Sequence, residues 1–123
     1  MASIHNFRKL TIWREGIEIA KDTYITTKIF PKSEVYGLSS QLQRAAVSIP
    51  SNIAEGTARS TNKHFIQYLE NALGSAYEWE TQLIISYEIG YISQDTFEHL
   101  DSKINKIQAM ISKFIDGLKI NLS

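Results

Sequence analysis

The chain has 123 residues, with 13 lysines and arginines, 13 aspartates and glutamates, and no cysteine. That length fits one domain, whose folding buries roughly two thirds of the surface of the unfolded chain, and the lack of thiols excludes disulfides and thiolate metal sites. No apolar run reaches the roughly 20 residues of a membrane span, and the start, Met1 to Phe7, has no basic stretch ahead of an apolar one, so a soluble cytoplasmic protein with no membrane association is expected.

Zero net charge argues against a constitutive nucleic-acid binder, because affinity for phosphate comes mainly from cations that displace counterions. The charges are nevertheless segregated. Residues 8 to 32 carry Arg8, Lys9, Arg14, Lys21, Lys28 and Lys32 against Glu15, Glu18 and Asp22, and residues 102 to 123 carry Lys103, Lys106, Lys113 and Lys119 against Asp116. Residues 60 to 101 carry Lys63 against Glu70, Glu78, Glu80, Glu88, Asp95, Glu98 and Asp101. Two readings follow. Helices of opposite sign attract weakly within one bundle, or a basic face built from Arg8, Lys9, Arg14, Lys21, Lys103, Lys106 and Lys113 meets an acidic face of another subunit or a nucleic acid.

The first predicted helix spans about 8–30, with Leu10, Trp13, Ile17, Ala20 and Tyr24 forming its apolar stripe. Trp13 on that stripe reads as core rather than as a ligand platform. Phe30-Pro31 ends the helix, since the residue before proline is pushed out of the helical region. The second helix, about 34–58, has Ser33 as expected N-cap and Glu34 in its first turn.

That second helix carries two stripes. Leu38, Leu42, Ala45, Ile49 and Ile53 recur at steps of three or four along one side, and Gln41, Arg44, Ser48, Asn52, Glu55 and Arg59 recur at similar steps along another. Such a polar stripe is either a solvated face or a hydrogen-bonded seam, and the small residues between favour close approach by another helix. Pro50 removes one backbone bond and leaves the carbonyl of Ala46 without its donor, so a kink is expected. Both stripes stay in phase across it, which favours one bent helix over two separate ones. Gly56 to Thr61 reads as the helix end and turn.

The third helix, about 62–91, begins at Thr61 or Asn62 and points Phe65, Leu69, Ala72, Ala76, Leu83 and Tyr87 at the core. Gly74 in mid-helix costs on the order of 1 kcal/mol relative to alanine and calls for a packing reason. The patch Ala72, Gly74, Ser75 and Ala76 is the expected contact for Ala45, Ala46 and Ser48. Asn71, Ser75, Glu78 and Gln82 make a second polar stripe, with Arg44 and Arg59 as candidate partners of Glu78 and Glu55. Leu83 to Ile92 is apolar on more than one face, an excess that a loop or another subunit would cover. The fourth helix, about 94–119 with Ser93 as N-cap, has Phe97, Leu100, Ile104, Ile107, Ile111, Phe114 and Leu118 alternating by three and four. The fold class is therefore all-α, an antiparallel up-down-up-down four-helix bundle in a single domain over 1–123.

No cofactor or metal is expected. A carboxylate metal site in a bundle needs Glu-x-x-His pairs, and none of His5, His64 and His99 stands three residues after a glutamate. Phosphate loops, nucleophile elbows and paired aspartates with metal spacing are missing from the sequence. Glu55 and Glu78 are an acid–base pair only in a less favoured enzymatic reading. A structural ion pair is the expected role of each, and no enzyme is expected.

The run Gln41 to Arg59, followed by Phe65 to Leu69, Gly74-Ser75 and Glu78 to Leu83, closely resembles the four-helix-bundle family encoded in 23S rRNA intervening sequences, and more distantly the accessory bundle protein of diversity-generating retroelements. The resemblance covers most of the chain. It implies a ring-like homopentamer without established enzymatic activity. The motif positions it places here are Gln41, Arg44, Ser48, Pro50, Asn52, Glu55, Gly56, Arg59, Gly74, Ser75 and Glu78. Leu73 stands where the family is expected to be basic, and the retroelement proteins look more basic than this neutral chain. The expected function is that of a non-catalytic, self-associating scaffold or adaptor associated with ribosomal RNA or a ribonucleoprotein, with direct nucleic-acid binding through the first and fourth helices as the alternative.

Overall fold

The computed structural model describes residues 6–120 and contains, among them, four α-helices and two single-turn 3-10 helices. The long helices are α1 (Thr11–Thr27), α2 (Leu38–Thr57), α3 (Asn62–Glu88) and α4 (Gln94–Ile120), with 3-10 turns at Phe7–Lys9 and Lys32–Glu34. Each helix packs on its successor, and α4 closes against α1. The cross-helix pairs fix the directions. Ser48 meets Ser75 and Gln41 meets Gln82 between α2 and α3, while Tyr87 stacks on Phe97 and Phe65 meets Phe114 between α3 and α4. In each case one number rises as the other falls, so neighbours are antiparallel.

Short connections with identifiable stop and start signals enforce this order. Thr61 Oγ1 accepts from the His64 amide to start α3, and Ser93 Oγ accepts from the Thr96 amide to start α4. Between them Gly90 adopts φ +86°, and the Tyr91 amide donates to the Ser86 carbonyl at 2.8 Å. Glycine enters this left-handed conformation without the Cβ penalty of other residues, which closes α3. At α2 the expected cap is corrected. Ser33 lies in the preceding 3-10 turn, α2 begins four residues later than the predicted 34, and Glu34 Oε1 accepts from the Leu38 amide at 3.0 Å.

The core runs the length of the bundle. From α2 come Leu42, Ala45, Ala46, Ile49 and Ile53, from α3 Phe65, Ile66, Leu69, Ala72, Ala76, Trp79 and Leu83, and from α4 Leu100, Ile104, Ile107, Ile111 and Ile115. In α1 the predicted stripe is rotated. Ile12, Gly16, Ile19, Thr23 and Thr27 are the buried positions, whereas Leu10, Trp13, Ile17 and Ala20 lie at the margin and Tyr24 is half exposed. Phe97, Phe114 and Leu118 of α4 are likewise partly buried. α2 continues through Pro50 as one element, and the proline is buried against α1. A Cβ placed on Gly16 would come within 3.2 Å of Pro50 Cδ, so the missing side chain lets the two helices meet there. Gly56 plays a comparable part. It lies inside α2 rather than in the turn, and an added Cβ would sit 2.7 Å from Phe65 Cδ1.

Candidate functional site

The two polar stripes meet at their centre. Ser48 Oγ lies 2.8 Å from Ser75 Oγ, and Asn52 Nδ2 donates to Ser48 Oγ at 2.9 Å and to the Ser48 carbonyl at 2.8 Å. These three side chains are half-buried, between the fully enclosed Ala45 and Ala46 of α2 and Ala72 and Ala76 of α3. Further along, Gln82 Nε2 reaches Gln41 Oε1 and Glu78 Oε2, each at 3.4 Å, while Gln82 Oε1 is buried without a donor. Small side chains at this contact allow the close backbone approach that brings two short hydroxyls within hydrogen-bond distance.

The charged members behave differently. Arg44, Glu55, Arg59 and Glu78 are all exposed, and neither the Arg44–Glu78 nor the Arg59–Glu55 ion pair forms. Arg59 instead lies over the Tyr68 ring at 4.7 Å and contacts the Glu55 carbonyl, a stacking that uses the flat guanidinium on an aromatic face. Arg44 has no hydrogen-bond or ion-pair partner among the described residues. Long side chains gain little from exposed pairing after their lost mobility is counted. Gly74 is also corrected. It faces outward, and a Cβ there would meet nothing within 4 Å, so it takes no part in the contact with α2.

Of the predicted basic face, three cations are neutralised within the chain. Lys103 pairs with Asp22 at 2.6 Å, Lys21 with Glu18 at 3.2 Å and Lys106 with Glu15 at 3.5 Å. Arg8, Lys9, Arg14 and Lys113 form no ion pair among the described residues. His64 Nδ1 is 3.0 Å from Thr61 Oγ1, His99 is exposed, and His5 lies outside the described residues. No group of three or more metal-binding side chains comes together among the described residues, and none of their helices is long and apolar enough to cross a membrane.

Two polar clusters were not foreseen. Trp79, buried at the centre of α3, donates its indole N–H to Thr23 Oγ1 at 3.0 Å, Thr23 donates to the Ile19 carbonyl, and Gln43 Nε2 donates to Thr27 Oγ1. This ladder ties α1 to α2 and α3. The available signal was Thr23 and Thr27 at a four-residue step. The second cluster joins α3 to α4. Gln108 Nε2 donates to Glu80 Oε1 at 2.8 Å, and Asn105 donates to Asp101 Oδ2 while Asp101 Oδ1 is buried without a donor. Burial first, then the neighbouring Glu80 carboxylate, raise the pKa of Asp101 above the ordinary carboxylate value, against the opposing effect of Asn105.

The sequence model of the 23S rRNA-intervening sequence protein family matches residues 8–113. The chain belongs to that family. Among solved structures, a protein of unknown function from the S23 ribosomal protein family of Bacteroides thetaiotaomicron superposes with a TM-score of 0.78 at 23% identity, covering 85% of this chain and 98% of its own. That similarity shows a shared fold. No curated protein matches the chain. Membership in the 23S rRNA-intervening sequence protein family agrees with the resemblance carried by Gln41 to Arg59, whose residues build the α2 side of the seam.

Proposed function

We propose that this protein is a non-catalytic helical scaffold that associates with copies of itself and presents a combined surface to a ribonucleoprotein partner. The observation that carries this reading is the exposure of Tyr77, Ile84, Ile85 and Ile89, each 41–53% accessible, along the outer side of α3 and its C-terminal end. A bundle whose core is already filled gains nothing from apolar side chains in water, and large apolar side chains gathered on one exposed helix face suit a contact site. Glu55 and Glu78 are exposed, and no hydrogen bond joins them, so nothing marks them as an acid–base pair. Light scattering at micromolar concentration tests the assembly. A mass of several chains is expected, and a single-chain mass at all concentrations would overturn the reading.

Direct contact with nucleic acid is the second reading, favoured by Arg8, Lys9, Arg14 and Lys113, which form no ion pair among the described residues. It predicts affinity that falls steeply with salt, roughly 0.9 log units per log unit of salt for each phosphate neutralised on duplex DNA and about 0.7 on single strands. Undetectable binding at low salt would exclude it. The internal pairing of Lys21, Lys103 and Lys106 leaves fewer cations for phosphate, which places this reading second.

A further inference from the structure

The cleft between α1 and α2 and the outer ridge of α3 have complementary chemistry. Two adjoining cavities of about 330 and 450 Å³ open along the cleft and share Tyr24 and Gln43. Tyr24, Val35 and Val47 supply apolar wall, Lys28, Lys32 and Arg44 supply positive charge, and among the described residues no carboxylate lines either cavity. All three cations are exposed and make no ion pair among the described residues. Unpaired cations beside exposed aromatic and aliphatic groups form an acceptor for a surface that is apolar and acidic.

The ridge of α3 has that character. Gly74, Tyr77, Thr81, Ile85 and Glu88 follow one another at steps of three or four along an exposed line, with Ile84 and Glu78 beside it. The sole lysine of α3 is Lys63, near its start and remote from these residues. Gly74 strengthens the case because the fold gives no reason for it. A mid-helix glycine costs on the order of 1 kcal/mol relative to alanine, yet none of the described residues comes within 4 Å of its Cβ position. A glycine there leaves the backbone open to approach from outside.

We infer that the α3 ridge of one copy seats in the α1–α2 cleft of a second copy, Glu78 and Glu88 facing Lys28, Lys32 and Arg44 around an apolar centre. This rests on the self-association proposed above and names the two surfaces that meet. The occupant is a second copy because one chain carries both surfaces, with matched apolar character and opposite charge. Charge across an interface selects partner and register more than it sets affinity.

Two variants test the pairing. In the cleft variant Lys28→Glu and Arg44→Glu are combined, and in the ridge variant Glu78→Lys and Glu88→Lys. All four positions are exposed, so both variants are expected to keep the wild-type helical circular dichroism. Each alone should show at least tenfold weaker assembly in sedimentation velocity. An equimolar mixture should regain assembly containing both, because acidic ridge then finds basic cleft and basic ridge finds acidic cleft. Wild-type assembly by each variant alone would overturn the pairing and leave self-association standing. Weakened variants whose mixture stays dissociated would overturn it too, as would a cleft variant that loses RNA binding while assembling normally. A wild-type protein of single-chain mass would instead overturn the parent reading, and the pairing with it.

Discussion

Replacing Ser75 tests whether the polar seam holds α2 against α3. Ser75→Ala removes one hydroxyl from the pair at 2.8 Å but leaves Ser48 with the Asn52 donor. The expected loss is that of one net hydrogen bond, about 1 kcal/mol. Ser75→Leu removes the same bond and adds three carbon atoms where Ala45, Ala72 and Ala76 are 0–3% accessible. Forcing such volume between packed helices costs about 1–3 kcal/mol, so the leucine variant should lose about 2–4 kcal/mol in all. For a chain of this size each kcal/mol lowers Tm by roughly 3–5 °C. Urea and thermal unfolding followed by circular dichroism measure both variants. Shifts below about 0.5 kcal/mol for both would mean that Ser75 faces water, and the seam would be refuted.

Gly56→Ala and Gly74→Ala should have opposite signs. The first drives a methyl to 2.7 Å from the buried Phe65 ring and should destabilise by about 1 kcal/mol after the helix-propensity gain is offset, whereas the second meets nothing and should stabilise the separate bundle by about 1 kcal/mol; equal shifts in urea unfolding of the cleft-variant background would contradict this. Trp79→Phe keeps an aromatic side chain but removes the indole N–H bond to Thr23 and part of a fully enclosed volume, with an expected loss of about 1–3 kcal/mol by urea midpoint. Asp101 has a raised folded-state pKa, so its contribution is fully present below the unfolded carboxylate value and is lost as pH rises through the folded value. Asp101→Asn should therefore flatten the fall in Tm over that rise, and an unchanged pH profile would exclude the assignment.

The parts of the fold written in hydrocarbon were legible from the sequence. Leu100, Ile104, Ile107 and Ile111 alternate cleanly, and all four are buried in α4. α1 misled because its inward face sets Gly16, Thr23 and Thr27, small or polar residues that an apolar stripe omits, beside Ile12 and Ile19, while Tyr24 drew the expected face toward the surface. The start of α2 was displaced for a similar reason. Its cap is the Glu34 side chain reaching Leu38, a contact set by the 3-10 turn and by the Tyr91 hydroxyl that donates to the same carboxylate. In the seam the short groups Ser48, Asn52 and Ser75 were readable from their spacing. Arg44 and Arg59 were not, since long cations near a surface choose among water, carbonyls and rings by contacts beyond the reach of periodicity. Trp79 was hidden by Glu78 and Glu80 on either side, which gave a buried position a polar neighbourhood in sequence.

The central claim is that the outer ridge of α3 is a contact surface and not a solvated face. Hydrogen–deuterium exchange of α3 measured at low and high protein concentration tests it most directly, because the exposed side of Tyr77 to Ile89, with Tyr77, Ile84, Ile85 and Ile89, would be covered only in the assembly. The account predicts that exchange in this segment slows as concentration rises, while exchange in the enclosed centre of α4 stays constant. Exchange of Tyr77 to Ile89 that is independent of concentration, in a sample that light scattering shows to be assembled, would contradict it.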